Sequence, residues 1–592
     1  MLLKDPANFL VFDSFTATAV KMVNTTGFTR TKVLIIGGGI SGICMAVELL
    51  TKYNIRDIVI IEKSGGFGGT WRDNIYPGAA CDVFSQLYSY SFAPHPGFTR
   101  LLPEQQEILD YLVDVAQRYG LYRYARFSSE VVKLRWDGEK MLWEVGVRVD
   151  GGKEREYVDG AEYSIIADFV VSAIGQTNVP KGLEMKGLEK FGGKVMHSAR
   201  WDRGFDLKGK KVAIIGTGST AAQIVPKIVD EVAHLTVCQR SPGFIIPRVD
   251  YAIPQWQRTL TACCPPLAKR IRAEMMNYRE RFHTAVTQAG SHPADHMRAM
   301  NDELVARQLA GRPDLQEKVK PRYNPGCKRT VITSDYYPAL TRSNVDLETA
   351  SIKEVTVEGI KFEGSDEPRA YDMLILATGF DTFSFLKRLD ITGQNGRTLN
   401  EIWSVGAPKA YKGIMVPGLP NLGILYGPNT NLSHTSLILV IEAQARCLGA
   451  MINRMFTARK GETDTLAFWP KTDVTEHYCQ VLQERLQNTT FADDSCTSWW
   501  KREDGTIENN WPGTAVEYQK LLENIEWSDF EMEGTAAAGF EADVTKRKTQ
   551  KVPRVVEETW FSRSGIAALA LGGMAVGVGF ARVYRQLHLQ IL

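Results

Sequence analysis

The chain has 592 residues, 44% of them hydrophobic, and a formal net charge of +2. That length supports several hydrophobic cores and roughly three or four domains, while the balanced charge excludes a nucleic-acid or acidic-polymer partner. The nine cysteines are scattered without metal-ligand spacing, with only Cys263 and Cys264 adjacent, so no metal is expected and all nine read as reduced thiols of a cytosolic protein.

In chain order, residues 1–30 read as an irregular leader, and a compact α/β unit opens at Thr31. Val33–Ile36 is a short, wholly apolar run, the pattern of a strand buried on both faces. Gly37, Gly39 and Gly42 follow as GxGxxG, a helical pattern runs to Leu50, and Ile58–Ile61 gives a second apolar strand that leads into Glu62. This βαβ pattern predicts a dinucleotide site. The glycine turn admits a pyrophosphate, the helix N-terminus stabilises it, and a carboxylate twenty residues after Gly42 is placed for ribose hydroxyls. The string GGTWRDNIYPGAACD follows, from Gly68 to Asp82. Its glycines, Gly69 among them, allow close backbone approach to a ligand. Beside Thr70, Trp71 and Tyr76 offer flat faces for an adenine or isoalloxazine ring. Asp82 is free to pair with a cation, and Tyr88 follows in YSYSF.

The same pattern returns later. Lys211–Ile215 is a strand, Gly216, Gly218 and Ala221 form the turn GTGSTA, a helix follows, and Leu235–Gln239 is a second strand. Ser219 and Thr220, inside that turn, join the cofactor-binding set. The second strand leads into Arg240 and Ser241 instead of an acid, and a cation there suits the 2′-phosphate of NADPH. Residues 251–320 carry helical spacing and predict a helical insert. Met373–Ala377 is a further apolar run. Residues 536–562 are polar and basic, with Lys546, Arg547, Lys548, Lys551 and Arg554, and read as a linker. Gly565–Ala581 holds seventeen uncharged residues between Arg563 and Arg582, with Gly573 and Gly577 as GxxxG, so residues 563–585 are a candidate C-terminal membrane anchor for a cytosolic catalytic region.

Between the two units, Phe191, Gly193, His197, Trp201 and Asp202 spell FxGxxxHxxxWD, and Cys327-Lys328-Arg329 lies further on. With these motifs, roughly residues 30–530 resemble the Baeyer–Villiger monooxygenases, class B flavoproteins that use FAD and NADPH. The resemblance implies an α/β fold of two Rossmann-like dinucleotide-binding domains. The FAD domain is then discontinuous, over 31–185 and 376–535, with an NADP domain over 186–375 inserted in it and carrying the helical insert. It implies that Arg329 is the active-site arginine beside the flavin and that Asp82 orients it. Lys328 joins Arg240 and Ser241 at the NADP phosphate, and His197 couples the domains. Ser498–Trp500, Asn510–Gly513, Tyr426–Asn431 and His434 take packing or substrate-wall positions.

The reaction implied is insertion of one atom of dioxygen next to a ketone or related carbonyl, through a flavin C4a-peroxide, to give an ester or lactone. N- or S-oxidation or hydroxylation of a small molecule by a related flavin enzyme is the alternative, and it does not require Arg329. A disulfide reductase is disfavoured because no CxxC or CxxxxC lies in the first unit.

Overall fold

Val33, Leu34, Ile35 and Ile36 are all apolar because the strand that carries them, β1 (Thr29–Ile36), is covered on both faces. The computed structural model describes residues 29–149, 161–182, 184–404, 406–547 and 549–557. β1 pairs in parallel with β2 (Ile58–Ile61) on one side and with Glu162–Ser172 on the other, and α1 (Ile40–Lys52) makes the crossover. The eight-stranded sheet runs Asp390–Thr392, Ser129–Asp137, Leu142–Val149, Glu162–Ser172, β1, β2, Ala125–Arg126, with Leu422–Ile424 also paired to Glu162–Ser172. Strands from both ends of the chain therefore share one sheet. Trp143, fully buried, joins them where its Nε1 donates to the Pro420 carbonyl at 2.7 Å.

The second sheet has five strands, all parallel. It is centred on β3 (Lys211–Ile215), which leads through α2 (Ser219–Ile228) to β4 (His234–Cys238). Val345–Glu348 lies beyond β4, and Met373–Leu376 and then Lys194–His197 lie on the other side of β3. The connections leaving and re-entering the first sheet pair with each other, through Lys181 N to Gly379 O at 2.9 Å and Asp381 N to Val179 O at 3.0 Å.

Residues 251–320 form helices Gln255–Cys263, α3 (Pro265–Thr287), His292–Gln308 and Pro313–Lys318. On α3, Arg272, Met276, Arg279 and Val286 are buried at helical spacing, so one face of the insert packs inward. A long helix, α4 (Leu437–Ala458), shares the first sheet's core with α1.

The expected linker over residues 536–562 is corrected by the structure through its described part. Helix α5 (Ala537–Arg547) buries Phe540 and Val544, four residues apart, and Thr549–Lys551 pairs antiparallel with Asn524–Glu526. Val552 and Glu557 are buried. Lys546 and Lys551 are exposed on these elements, while a few apolar side chains anchor them.

The leader lies outside the described residues except for its last two positions, which open β1. The candidate anchor at 563–585 also lies outside them, and among the described residues no helix is long and apolar enough to cross a membrane.

Candidate active site

At the end of β1, Gly37 adopts φ +110° and its N–H donates to the Ile61 carbonyl at 2.8 Å. A Cβ on Gly42 would lie 1.9 Å from the Gly37 carbonyl oxygen, so the helix can start this close to the strand only with glycine there. Gly39 faces Gly69 across the turn, backbone to backbone, and a Cβ on Gly69 would stand 2.8 Å from the Gly39 Cα. Glu62 accepts from Gly38 N at 2.6 Å and from Ser64 N at 2.7 Å. Burial pushes its carboxyl up, opposed by those two backbone donors. The acid at the end of β2 thus also fixes the turn. Beside it, a cavity of about 550 Å³ is lined by Lys63, Ser64 and Asp73 from the first domain and by Arg200 and Trp201 from the second.

The aromatic string divides its work. Thr70, exposed, opens the short helix Thr70–Asp73, and Trp71 Nε1 donates to the Tyr88 hydroxyl at 3.2 Å with the two rings edge to face. Tyr76, expected as a second flat face for the cofactor, is engaged otherwise. Its hydroxyl donates to Gln223 Oε1 on α2 at 2.9 Å, and Gln223 Nε2 donates to the Ala80 carbonyl at 3.0 Å. Tyr76 therefore ties the two domains together.

The second turn has the same build. Gly216 sits at φ +119°, with the Ala377 carbonyl 2.5 Å from where its Cβ would be. In front of Gly218 there is no atom within 4 Å of the Cβ position, so the start of α2, with Ser219 and Thr220, is open to a ligand. Arg240 is exposed, and Ser241 accepts from Lys328 Nζ. Lys328 also lies over the Tyr323 ring at 5.1 Å, and burial followed by the Arg240 charge brings its ammonium down to about 8. Lys328 thus stands with Ser241 and Arg240 at the end of β4.

Between the two turns, Asp82 and Arg329 meet. Arg329 Nε donates to Asp82 Oδ2 at 3.1 Å and Nη2 donates to Oδ1 at 3.0 Å and Oδ2 at 2.8 Å. Nη1 donates to no described residue. The side chains are 27% and 22% exposed, so the pair lines accessible space. Burial acts to raise the Asp82 carboxyl, but Arg329 and then Arg279 outweigh it and hold it below the usual carboxylate range, while Asp82 raises Arg329. The outcome is a permanent cation in fixed orientation. Tyr426, at φ +58°, lies close enough for Arg329 to oppose the rise that burial imposes on its hydroxyl.

His197 ends an edge strand of the second sheet. Its Nδ1 accepts from Ala199 N at 3.1 Å, which leaves the neutral ring's proton on Nε2, 3.1 Å from the Gly379 carbonyl. Gly379 belongs to the returning connection, so His197 contacts the joint between the sheets.

Two features escaped the sequence. Cys327, next to Lys328 and Arg329, forms a disulfide with Cys496 across 169 residues, which corrects the expectation of nine reduced thiols; the other seven are free. No local spacing signals a pair so far apart. Arg279, on α3, is 7% exposed and faces the site from the insert; an arginine in a helical pattern reads as surface. Among the described residues no cluster of three or more His, Cys, Asp or Glu could hold a metal.

A family profile described as "Flavin-binding monooxygenase-like" matches residues 30–390. The chain belongs to this family. As a flavin-binding monooxygenase-like protein it is 42% identical to the FAD-binding monooxygenase ktnD of Aspergillus niger, over 93% of this chain and 90% of that protein. It is 37% identical to a Baeyer-Villiger monooxygenase of Streptomyces coelicolor, over 88% of this chain and 96% of that one. The structure of an oxidized steroid monooxygenase bound to NADP superposes on it with a TM-score of 0.72 at 27% identity, covering 85% of this chain and 99% of that one. This flavin-binding monooxygenase-like protein is thus an enzyme of the Baeyer–Villiger type.

Proposed function

We propose that this enzyme binds FAD at the first glycine turn and NADPH at the second, and inserts one atom of dioxygen between a carbonyl carbon and its neighbour, converting a ketone to an ester or lactone. The balance is ketone, dioxygen, NADPH and a proton giving ester, NADP⁺ and water. The observation that carries this reading is the bidentate Asp82–Arg329 pair set between two dinucleotide turns.

Each turn fits its cofactor on local grounds. Gly39 and Gly69 leave a side-chain-free face beside the start of α1, and Gly218 leaves open space at the start of α2. Arg240, Ser241 and Lys328 fit a 2′-phosphate, and an anion beside Lys328 favours its charged form, against the burial and the Arg240 charge that lower it. When bound, FAD supplies the reduction by NADPH and the activation of oxygen.

The remaining chemistry belongs to this chain. Negative charge is carried by the attacking oxygen and passes to the carbonyl oxygen, and Arg329 holds a positive charge against both. Asp82 takes up three of the guanidinium's hydrogen bonds and leaves Nη1 for the reacting group. A salt-bridged arginine does not lose its proton, so it stabilises charge without acting as a base.

Full-length enzyme given NADPH, ¹⁸O-labelled dioxygen and a panel of ketones, amines and thioethers tests this reading. One labelled oxygen should enter an ester or lactone. Products confined to N-oxides, sulfoxides or alcohols would instead support the protonated, electrophilic oxidant of the related flavin enzymes.

A further inference from the structure

Arg279 projects from α3 into the side of the Asp82–Arg329 site and is 7% exposed. Among the described residues it makes no hydrogen bond and no ion pair, and its Nε is sealed from solvent without an acceptor. The nearest acid cannot serve it. Asp82 already accepts three hydrogen bonds from Arg329, and acts on Arg279 only through space. Glu280, its sequence neighbour, turns away to His434 at 3.3 Å and to the backbone N–H of Ala515 at 3.3 Å. Phe84 and Phe282 flank the guanidinium, with centroids 5.9 and 5.7 Å from Cζ.

Aromatic faces recover part of the lost hydration of a buried cation but do not replace an anion. Two arginines facing one carboxylate leave the site with a surplus positive charge, and burial pulls the Arg279 guanidinium below its usual range. Such a group is expensive to keep buried unless a ligand completes it. A planar guanidinium between aromatic rings suits a carboxylate on a flat framework, taken up in bidentate fashion.

We infer that Arg279 is a specificity-determining residue that binds the carboxylate of an anionic carbonyl substrate and so presents its carbonyl to Arg329. The inference rests on the reading of Asp82–Arg329 as the oxygenation site and adds the class of substrate that enters it.

The test uses full-length oxidised enzyme with FAD bound and no NADPH, so that binding is read without turnover. Equilibrium dialysis measures meta- and para-acetylbenzoate against their methyl esters, the neutral partners of the same shape. Wild type is expected to bind at least one acid more tightly than its ester by roughly ten- to hundredfold, the worth of a charge-assisted hydrogen-bonded pair. Arg279→Met should erase that preference and leave ester binding unchanged, and Arg279→Lys should retain part of it. If Arg279→Met does not fold with its flavin, the wild-type comparison and Arg279→Lys still decide. The inference is overturned if no acid binds better than its ester, if Arg279→Met weakens acid and ester equally, or if it weakens NADP⁺ binding and leaves the acid preference intact. An acid preference that depends on Arg279, with no ¹⁸O in any ester on addition of NADPH, would support the anion site and remove the oxygenation reading.

Discussion

Arg329 has two of its three nitrogens on Asp82, and this fixes both its charge and its direction. Asp82→Ala should leave the guanidinium charged but free to rotate. We expect a drop in kcat of about tenfold to hundredfold with FAD content unchanged, measured by NADPH-dependent ester formation. An unchanged rate would remove the orienting role. Lys328 gives a pH prediction at the same scale. Its ammonium is held down to about 8, so its charge is present below that pH and lost above it. Preference for NADPH over NADH, taken as the ratio of Kd values, should therefore fall by up to about tenfold between pH 7 and pH 9. Lys328→Arg should flatten this profile, and a wild-type ratio that does not change with pH would contradict the assignment to the phosphate.

At the scale of elements, the two connections between the sheets are latched by His197 on the Gly379 carbonyl. Burial lowers the His197 pKa despite that hydrogen bond. A folded-state pKa below the unfolded value near 6.5 means the unfolded chain binds the proton more readily. The latch's contribution is then present above about pH 6.5 and lost as pH falls through the folded value. The melting temperature of wild type should fall faster between pH 7.5 and 5.5 than that of His197→Asn, and parallel curves would show that His197 does not carry this dependence.

A second element contact is buried. Arg272 of α3 donates to Glu557 at 2.6 Å and to the Ser89 carbonyl at 2.8 Å, and Glu442 of α4 stands close enough to feel both charges. Arg272→Ala strands the buried Glu557 carboxylate, while Glu442 keeps Arg446 and the Ser91 N–H, and should lower unfolding free energy by about 3–5 kcal/mol in urea titration; a change below about 0.5 kcal/mol would contradict a structural role. These contacts explain what the sequence concealed. Arg272 and Arg279 fall on the buried stripe of α3 with Met276, but charge in a helical repeat reads as a solvated face. Phe540 and Val544 carried a legible i, i+4 signal that the surrounding lysines and arginines masked.

For the whole molecule, the most legible parts were those whose signal is local. Each glycine turn sits between an apolar strand and a helix within about thirty residues, so both βαβ units can be read directly. Asp82 and Arg329, 247 residues apart, came within reach only through family resemblance, because nothing local joins them. The same distance problem hid the Cys327–Cys496 bridge and the docking of Glu557 on Arg272 of the insert. Long-range contacts bring Asp82, Arg279 of the insert and Tyr426 around one guanidinium. The central claim, that this guanidinium serves oxygen insertion next to a carbonyl, is tested most directly by ¹⁸O incorporation in wild type and Arg329→Ala, both loaded with FAD and supplied with NADPH. Wild type should give labelled ester or lactone, and Arg329→Ala should lose about 10²–10³-fold or more of it while NADPH oxidation and flavin binding persist. Labelled ester from Arg329→Ala at the wild-type rate would contradict the claim.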